Sequence, residues 1–161
     1  MAKIQIFKIE LTDHASGARL TLAAGRDLDG NFYLDFVGNF ILPLLQEQAA
    51  AFARAVARMR WRRNQATPKP GYVWRRTVGD GVSAGFRLEF GLTDEGRVYV
   101  ETAGTKIVCD DAQGDLLLAV LENFAEDVNV VLAGGAQQFY HNLAPGLAGP
   151  GWIPDWADDK W

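Results

Sequence analysis

A twelve-residue segment occurs twice, and this duplication constrains the fold more than any other feature of the chain. Residues 30–41 read Gly-Asn-Phe-Tyr-Leu-Asp-Phe-Val-Gly-Asn-Phe-Ile, and residues 96–107 read Gly-Arg-Val-Tyr-Val-Glu-Thr-Ala-Gly-Thr-Lys-Ile. Gly30/Gly96, Tyr33/Tyr99, Gly38/Gly104 and Ile41/Ile107 are identical, and Leu34/Val100 and Asp35/Glu101 match in kind. Upstream, after a short shift, Gly17-Ala-Arg19-Leu20 aligns with Gly85-Phe-Arg87-Leu88. A long amphipathic segment follows each copy. A repeat of this length predicts two similar supersecondary units, each building an equivalent core of its own.

Hydrophobic periodicity fills in each unit. Ile4 to Leu11 is rich in Ile and Phe and reads as a strand. Arg19 to Ala23 and Asn31 to Val37 alternate polar and apolar, the period of a half-buried strand. Phe32, Leu34 and Phe36 then share one face, and Asn31, Tyr33 and Asp35 the other. Gly38-Asn39 is a turn before a short strand at Phe40-Ile41. Pro43 suits the first turn of a helix. That helix reaches about Arg63, with Leu45, Phe52, Val56 and Met59 as its buried stripe and Arg54, Arg58 and Arg62 roughly opposite. Thr67-Pro-Lys-Pro-Gly71 links the halves.

The second half repeats the order: strands over 72–78, 85–91, 97–102 and 106–109, then a helix over 113–132 that Gly134-Gly135 ends. Val98 and Val100 point inward, and Arg97, Tyr99 and Glu101 outward. The expected fold is α+β: an antiparallel ββββα unit, duplicated over about 3–64 and 71–132, with a helix packed across each sheet. Residues 133–161 form a Gly/Pro-rich tail ending in three Trp and three Asp.

Composition narrows the function. The net charge is −4, yet residues 48–79 hold eight of the 16 Lys and Arg and no acid. Residues 107–161 hold nine acids against Lys160 alone. One cysteine, Cys109, excludes an intramolecular disulfide framework and suggests a reducing compartment. The N-terminal residues lack the apolar run of a signal peptide, and no stretch is apolar enough to span a bilayer, so a cytoplasmic location is expected.

Catalytic candidates are few. His14 sits in an Asp-His-Ala-Ser turn and His141 in the Gly/Pro-rich region, and no phosphate loop, nucleophile elbow or metal-binding cluster is present. Asp110-Asp111 precedes a helix, the ordinary place for capping. No enzyme, cofactor or metal is expected.

Binding has more to draw on. Arg60-Trp61-Arg62-Arg63 and Trp74-Arg75-Arg76 flank the linker. Guanidinium groups neutralise phosphates, and flat rings stack on unpaired bases at about 1–3 kcal/mol each. The candidate nucleic-acid contacts are Arg19, Tyr33, Arg54, Arg58, Arg62, Trp74, Arg75, Arg76, Arg87, Arg97 and Tyr99. An Arg stripe is also commonly a solvated helix face, and large aromatics are commonly core.

The doubled strand-and-helix unit, with Gly85-Phe-Arg-Leu-Glu-Phe, Arg97-Val-Tyr-Val and the helical Asp115 to Val131, is similar to the Whirly and Pur-alpha type single-stranded nucleic-acid-binding fold over about 3–132. It lacks a Whirly lysine-rich signature, and Pur-type strand faces are more basic. The tail, through Trp152, Asp155, Trp156, Asp158, Asp159 and Trp161, resembles the acidic C-terminus of bacterial and phage single-strand-binding proteins. These resemblances imply a non-enzymatic, homo-oligomeric single-stranded DNA-binding protein (RNA being the other possible strand) whose tail recruits replication or repair proteins or regulates the groove. The competing expectation is a protein-protein interaction module, such as an immunity or adaptor protein, that binds no nucleic acid. A third is a small hydrolase using His14.

Overall fold

Two four-stranded antiparallel sheets account for the repeat. A computed structural model describes residues 3–78 and 86–143, the side chains of 86 and 135–143 excepted. The first sheet has the order β1 (Lys3–Thr12), β2 (Arg19–Asp27), β3 (Phe32–Phe36) and β4 (Phe40–Leu44), and helix α1 (Gln46–Arg63) follows it. The second has the order β5 (Gly71–Val78), β6 (Phe86–Leu92), β7 (Val98–Thr102) and β8 (Thr105–Val108), followed by helix α2 (Asp111–Leu143). The expected duplicated ββββα architecture is therefore present.

Strand register aligns the two halves more finely than sequence identity does. Gly25 pairs with Tyr33 and Gly91 with Tyr99. In both halves the first strand carries a bulge opposite that glycine, between Gln5 and Phe7 and between Tyr72 and Trp74. Glycine is required there. A Cβ on Gly25 would lie 2.2 Å from the Ile4 carbonyl oxygen and 2.6 Å from the Tyr33 hydroxyl, and one on Gly91 would lie 2.5 Å from the Gly71 oxygen and 2.8 Å from the Tyr99 hydroxyl. Each repeat tyrosine thus folds over a bare stretch of backbone, a device that pins register beside a bulge.

Two sequence alignments need correction. Leu22 pairs with Phe36 and Leu88 with Thr102, which places Thr21, not Arg19, at the position of Arg87. A two-residue offset keeps both arginines on the same face. The β3–β4 connection has one residue more than β7–β8, so Ile41 corresponds to Lys106 rather than Ile107. Ile41 is accordingly 52% exposed while Ile107 is buried.

The two halves interlock. Phe52 of α1 meets Trp74 and Phe90 of the second sheet at 5.1 and 5.4 Å between ring centroids. Phe124 of α2 meets Phe7 and Phe32 of the first sheet at 6.4 and 5.8 Å. The two rings meet each other at 5.8 Å, so a single core joins both repeats.

Ion pairs reinforce this arrangement. Arg60 bonds Glu122 through two nitrogens, Arg63 pairs with Asp115, and Arg26 of β2 pairs with Asp127 at 2.8 Å. The basic first helix lies against the acidic second one, so Arg60 and Arg63 are neutralised within the molecule. Each such pair contributes about 0.2–1 kcal/mol, the forked Arg60–Glu122 pair at the upper end.

Helix ends also differ from expectation. Pro43 lies in β4, an outer strand of its sheet that tolerates a missing N–H. Leu45 caps α1 instead of joining its buried stripe and is 70% exposed. Its backbone N–H donates to Gln48 Oε1 at 2.9 Å. At α2, Asp110 Oδ1 accepts from the Gln113 N–H at 2.8 Å, the capping role its position suggested. Gly134-Gly135 do not end α2, which continues to Leu143. Each glycine costs a helix about 1 kcal/mol relative to alanine, a penalty the surrounding Leu, Ala and Gln residues tolerate.

Asp13 joins the halves at another point. Its carboxylate accepts from the Val108 N–H of β8 and from the backbone and hydroxyl of Ser16. These bonds, that to Val108 foremost, hold its pKa down to about 2. A depressed carboxylate stabilises the fold fully above its unfolded pKa, near 3.8, and that stabilisation disappears as pH falls through about 2. Asp13→Ala should cost about 1–3 kcal/mol near neutral pH, because it leaves a strand N–H unpaired. Urea melts at pH 7 and pH 2 check this, since the gap between wild type and variant should shrink at the lower pH.

Candidate functional site

The predicted contact residues fall into three groups. Trp74, Arg62, Arg58 and Tyr99 are drawn into the structure. The Trp74 ring packs on Phe52 and Phe90. Arg62 is 3% exposed, with Nη1 reaching the Tyr72 carbonyl at 3.4 Å. Arg58 Nη1 reaches the Val73 carbonyl at 3.3 Å. The stripe fails as a single surface for a geometric reason. Four residues advance an α-helix by about 40° beyond a full turn, so a row spaced by four swings through about 80° from Arg54 to Arg62. Arg54 stays exposed, while Arg62 turns under β5.

Tyr99 alternates outward as expected but is only 4% exposed. Its hydroxyl donates to Glu89 Oε2 at 2.5 Å, and Arg75 Nε donates to Glu89 Oε1 at 2.8 Å. Burial and the Glu89 carboxylate both push the tyrosine pKa up. Burial pushes Glu89 up, but the Tyr99 and Arg75 hydrogen bonds outweigh it and hold the carboxyl below its usual range. Lys106 Nζ sits 4.3 Å from the Tyr99 ring centre. This ring is closed to a base on both counts.

Arg75 and Arg97 form a second group, engaged but partly exposed. Arg75 also lies 3.8 Å over the Tyr72 ring, and Arg97 Nη1 lies 2.9 Å from His14 Nε2. Arg76 Nη1 reaches the Pro43 carbonyl at 3.4 Å. The remaining group, Arg19, Tyr33, Arg54 and Arg87, keeps exposed or half-exposed side chains. Burial, then Asp35, raises the Tyr33 pKa, and Lys3 Nζ lies 5.1 Å from its ring centre. These four are distributed over β2, β3, α1 and β6 and do not converge with Trp74 and Tyr99 on one stacking groove. Trp152, Asp155, Trp156, Asp158, Asp159 and Trp161 lie outside the described residues, as does the side chain of His141.

Burial pushes the Cys109 thiol up to about 12, which keeps it protonated and non-nucleophilic. Among the described residues no group of three or more His, Cys, Asp or Glu could hold a metal ion, and no helix is long and apolar enough to cross a membrane.

The outer sheet faces show where the halves diverge. Across the second sheet, register aligns Arg75, Glu89, Glu101 and Lys106 in one row. The corresponding row of the first sheet is Lys8, Ala23, Asp35 and Ile41. Ile41, Pro43 and Leu45 form an exposed apolar line along β4, where the second repeat has Lys106, Val108 and Asp110. Val37, 39% exposed, and half-buried Tyr33 extend it. Residue types alone did not mark this patch, because Ile41 seemed to match buried Ile107. The spacing of glycine eight residues before each repeat tyrosine was the overlooked signal for the covered backbone at Gly25 and Gly91.

No family model matches the chain, and no curated protein or solved structure matches it either, so these comparisons do not identify a Whirly or Pur-alpha fold.

Proposed function

We propose that this protein is a non-catalytic protein-interaction module whose outer first-sheet face is an interface between two copies of the chain. The observation that carries the reading is the divergence of two equivalent faces. One scaffold position holds Ile41 in the first half and Lys106 in the second, and another holds Leu45 and Asp110. In the second sheet Arg75 and Tyr99 both bond Glu89. The first leaves apolar side chains in water, a pattern associated with association surfaces. A second copy fits as the occupant because this face carries both signs. Lys8 and Asp35 lie in one row, and Arg19 and Glu10 approach within 3.7 Å nearby. Under two-fold symmetry each charge can meet its opposite on the other copy.

Single-stranded DNA binding draws less support, since Trp74 and Tyr99 are engaged and the exposed cations are dispersed. Oligo-dT titrated at low salt into micromolar protein should leave the tryptophan fluorescence unchanged, whereas saturable quenching that weakens with salt would favour the strand-binding reading. Sedimentation equilibrium tests the interface. The apparent mass should rise with concentration from the 17.7 kDa monomer toward twice that value, and a constant monomer mass into the hundred-micromolar range would overturn the proposal.

A further inference from the structure

Helix α2 turns Leu117, Leu121, Phe124 and Val128 into the core, yet its outward face is apolar as well. Leu116 is 55% exposed and Val130 59%. Exposed Ala119 and Asn123 lie between them, and all four fall within about 60° of the helix surface, a line of roughly 21 Å. Apolar residues scattered singly on a surface are ordinary, but an aligned set marks a contact face. Carboxylates edge this line. Asp115, Glu122 and Glu126 run along one side of it, Asp127 lies on the other, and α2 contains no Lys or Arg. Arg63 and Arg60 reach Asp115 and Glu122 from beneath. The acid side chains are 66% and 40% exposed, against 13% and 32% for those arginines, so the acids form the outer surface. Glu126 is exposed and has no ion pair among the described residues.

From this we infer that the outward face of α2 receives an amphipathic helix of another protein, whose apolar stripe is edged by Lys or Arg. The three- and four-residue spacing of Leu116, Ala119 and Asn123 matches the ridges of a facing helix. Ala119 is small enough to let the two backbones approach. Asn123, halfway between Leu116 and Val130, offers one polar contact that sets the register. The acidic edges select the charge of the partner. A second copy of α2 would set carboxylates against carboxylates, and an anionic membrane surface would be repelled in the same way. The line lies on α2 and the self-association face on β4 and its neighbours, so the two stand independently.

The probe is a synthetic helix of about twenty residues, with Leu at alternating three- and four-residue spacing and Lys on both sides of that stripe. Titrated into the full chain, it should shift the amide NMR signals of Leu116, Ala119, Asn123 and Val130 saturably, with a dissociation constant of about 100 μM or tighter. A peptide of the same composition with its leucines shuffled, and one with Glu in place of Lys, should each bind at least about tenfold more weakly. Leu116→Ala/Val130→Ala should weaken the Lys-edged probe about tenfold without moving the thermal melt, because both side chains begin exposed. Glu126→Gln should weaken it about threefold at low salt and by less at high salt. Ile41→Lys/Leu45→Asp should bind it as wild type does, so this inference and the sheet-face interface fail separately. No saturable shift, shifts centred away from α2, equal binding of the shuffled peptide, or unaltered affinity in Leu116→Ala/Val130→Ala would each overturn the inference. Altered sedimentation of that variant without peptide would show a second copy on this face and would overturn it too.

Discussion

Gly25→Ala or Gly91→Ala should each destabilise the protein by about 3 kcal/mol or more, among the largest effects of any single methyl added to this chain. The obstruction is backbone rather than flexible side chain. At Gly25 the new carbon would sit 2.2 Å from the Ile4 carbonyl oxygen, and at Gly91 it would sit 2.5 Å from the Gly71 oxygen and 2.7 Å from the Tyr72 Cα. Relief would require the bulged first strand to move away and the covering tyrosine to swing out. At Gly91 that would also break the Tyr99 bond to Glu89. Gly91→Ala should therefore be the worse of the two, because Tyr33 has no comparable bond to an outer-face carboxylate among the described residues. Urea denaturation of both variants measures this. A change below about 1 kcal/mol at either site would mean the bulge and tyrosine do not hold that register.

Phe124→Ala should cost about 3–5 kcal/mol. The Phe124 ring is fully buried and meets Phe7, Phe32 and Phe52, the last from the opposite helix. Its removal opens a cavity at the point where both sheets and both helices come together. The form of the transition matters as much as its midpoint. Because each helix packs on the other repeat's strands, both halves should unfold in one cooperative step in wild type and variant alike. Far-ultraviolet circular dichroism and tryptophan fluorescence should trace the same curve, Trp74 reporting the second half. Separated transitions would show two independently stable repeats.

The duplicated architecture was legible because strand alternation and turn glycines are local signals. Gly30 and Gly96 adopt φ +84° and +81° at equivalent turns, as the repeated motif implied. Side-chain fate was less legible because it depends on non-local partners. Arg54, Arg58 and Arg62 read as one stripe until β5 is placed beside the helix. Tyr99 and Tyr33 read as equivalent platforms until Glu89, diagonal to Tyr99 on the neighbouring strand, accepts from its hydroxyl and Ala23 occupies the matching position in the other sheet. The Arg-rich segment looked like a phosphate-binding surface because nothing in its own thirty-two residues is acidic. Its partners Asp115 and Glu122 lie more than fifty positions downstream, brought in by helix packing. The β4 patch was hidden by a one-residue difference in turn length, which aligned Ile41 with Ile107, a residue the structure buries.

The most direct test is to give the first repeat the second repeat's own residues. In Ile41→Lys/Leu45→Asp both changed side chains begin exposed, and the equivalent positions of the same scaffold already carry Lys106 and Asp110. Sedimentation velocity at matched concentrations, with thermal melts in parallel, reads out association and folding separately. Wild type should sediment as a dimer and the double variant as a monomer, with melting in the dilute, monomeric range altered by no more than the equivalent of about 0.5 kcal/mol. Identical sedimentation of the two proteins would contradict the account.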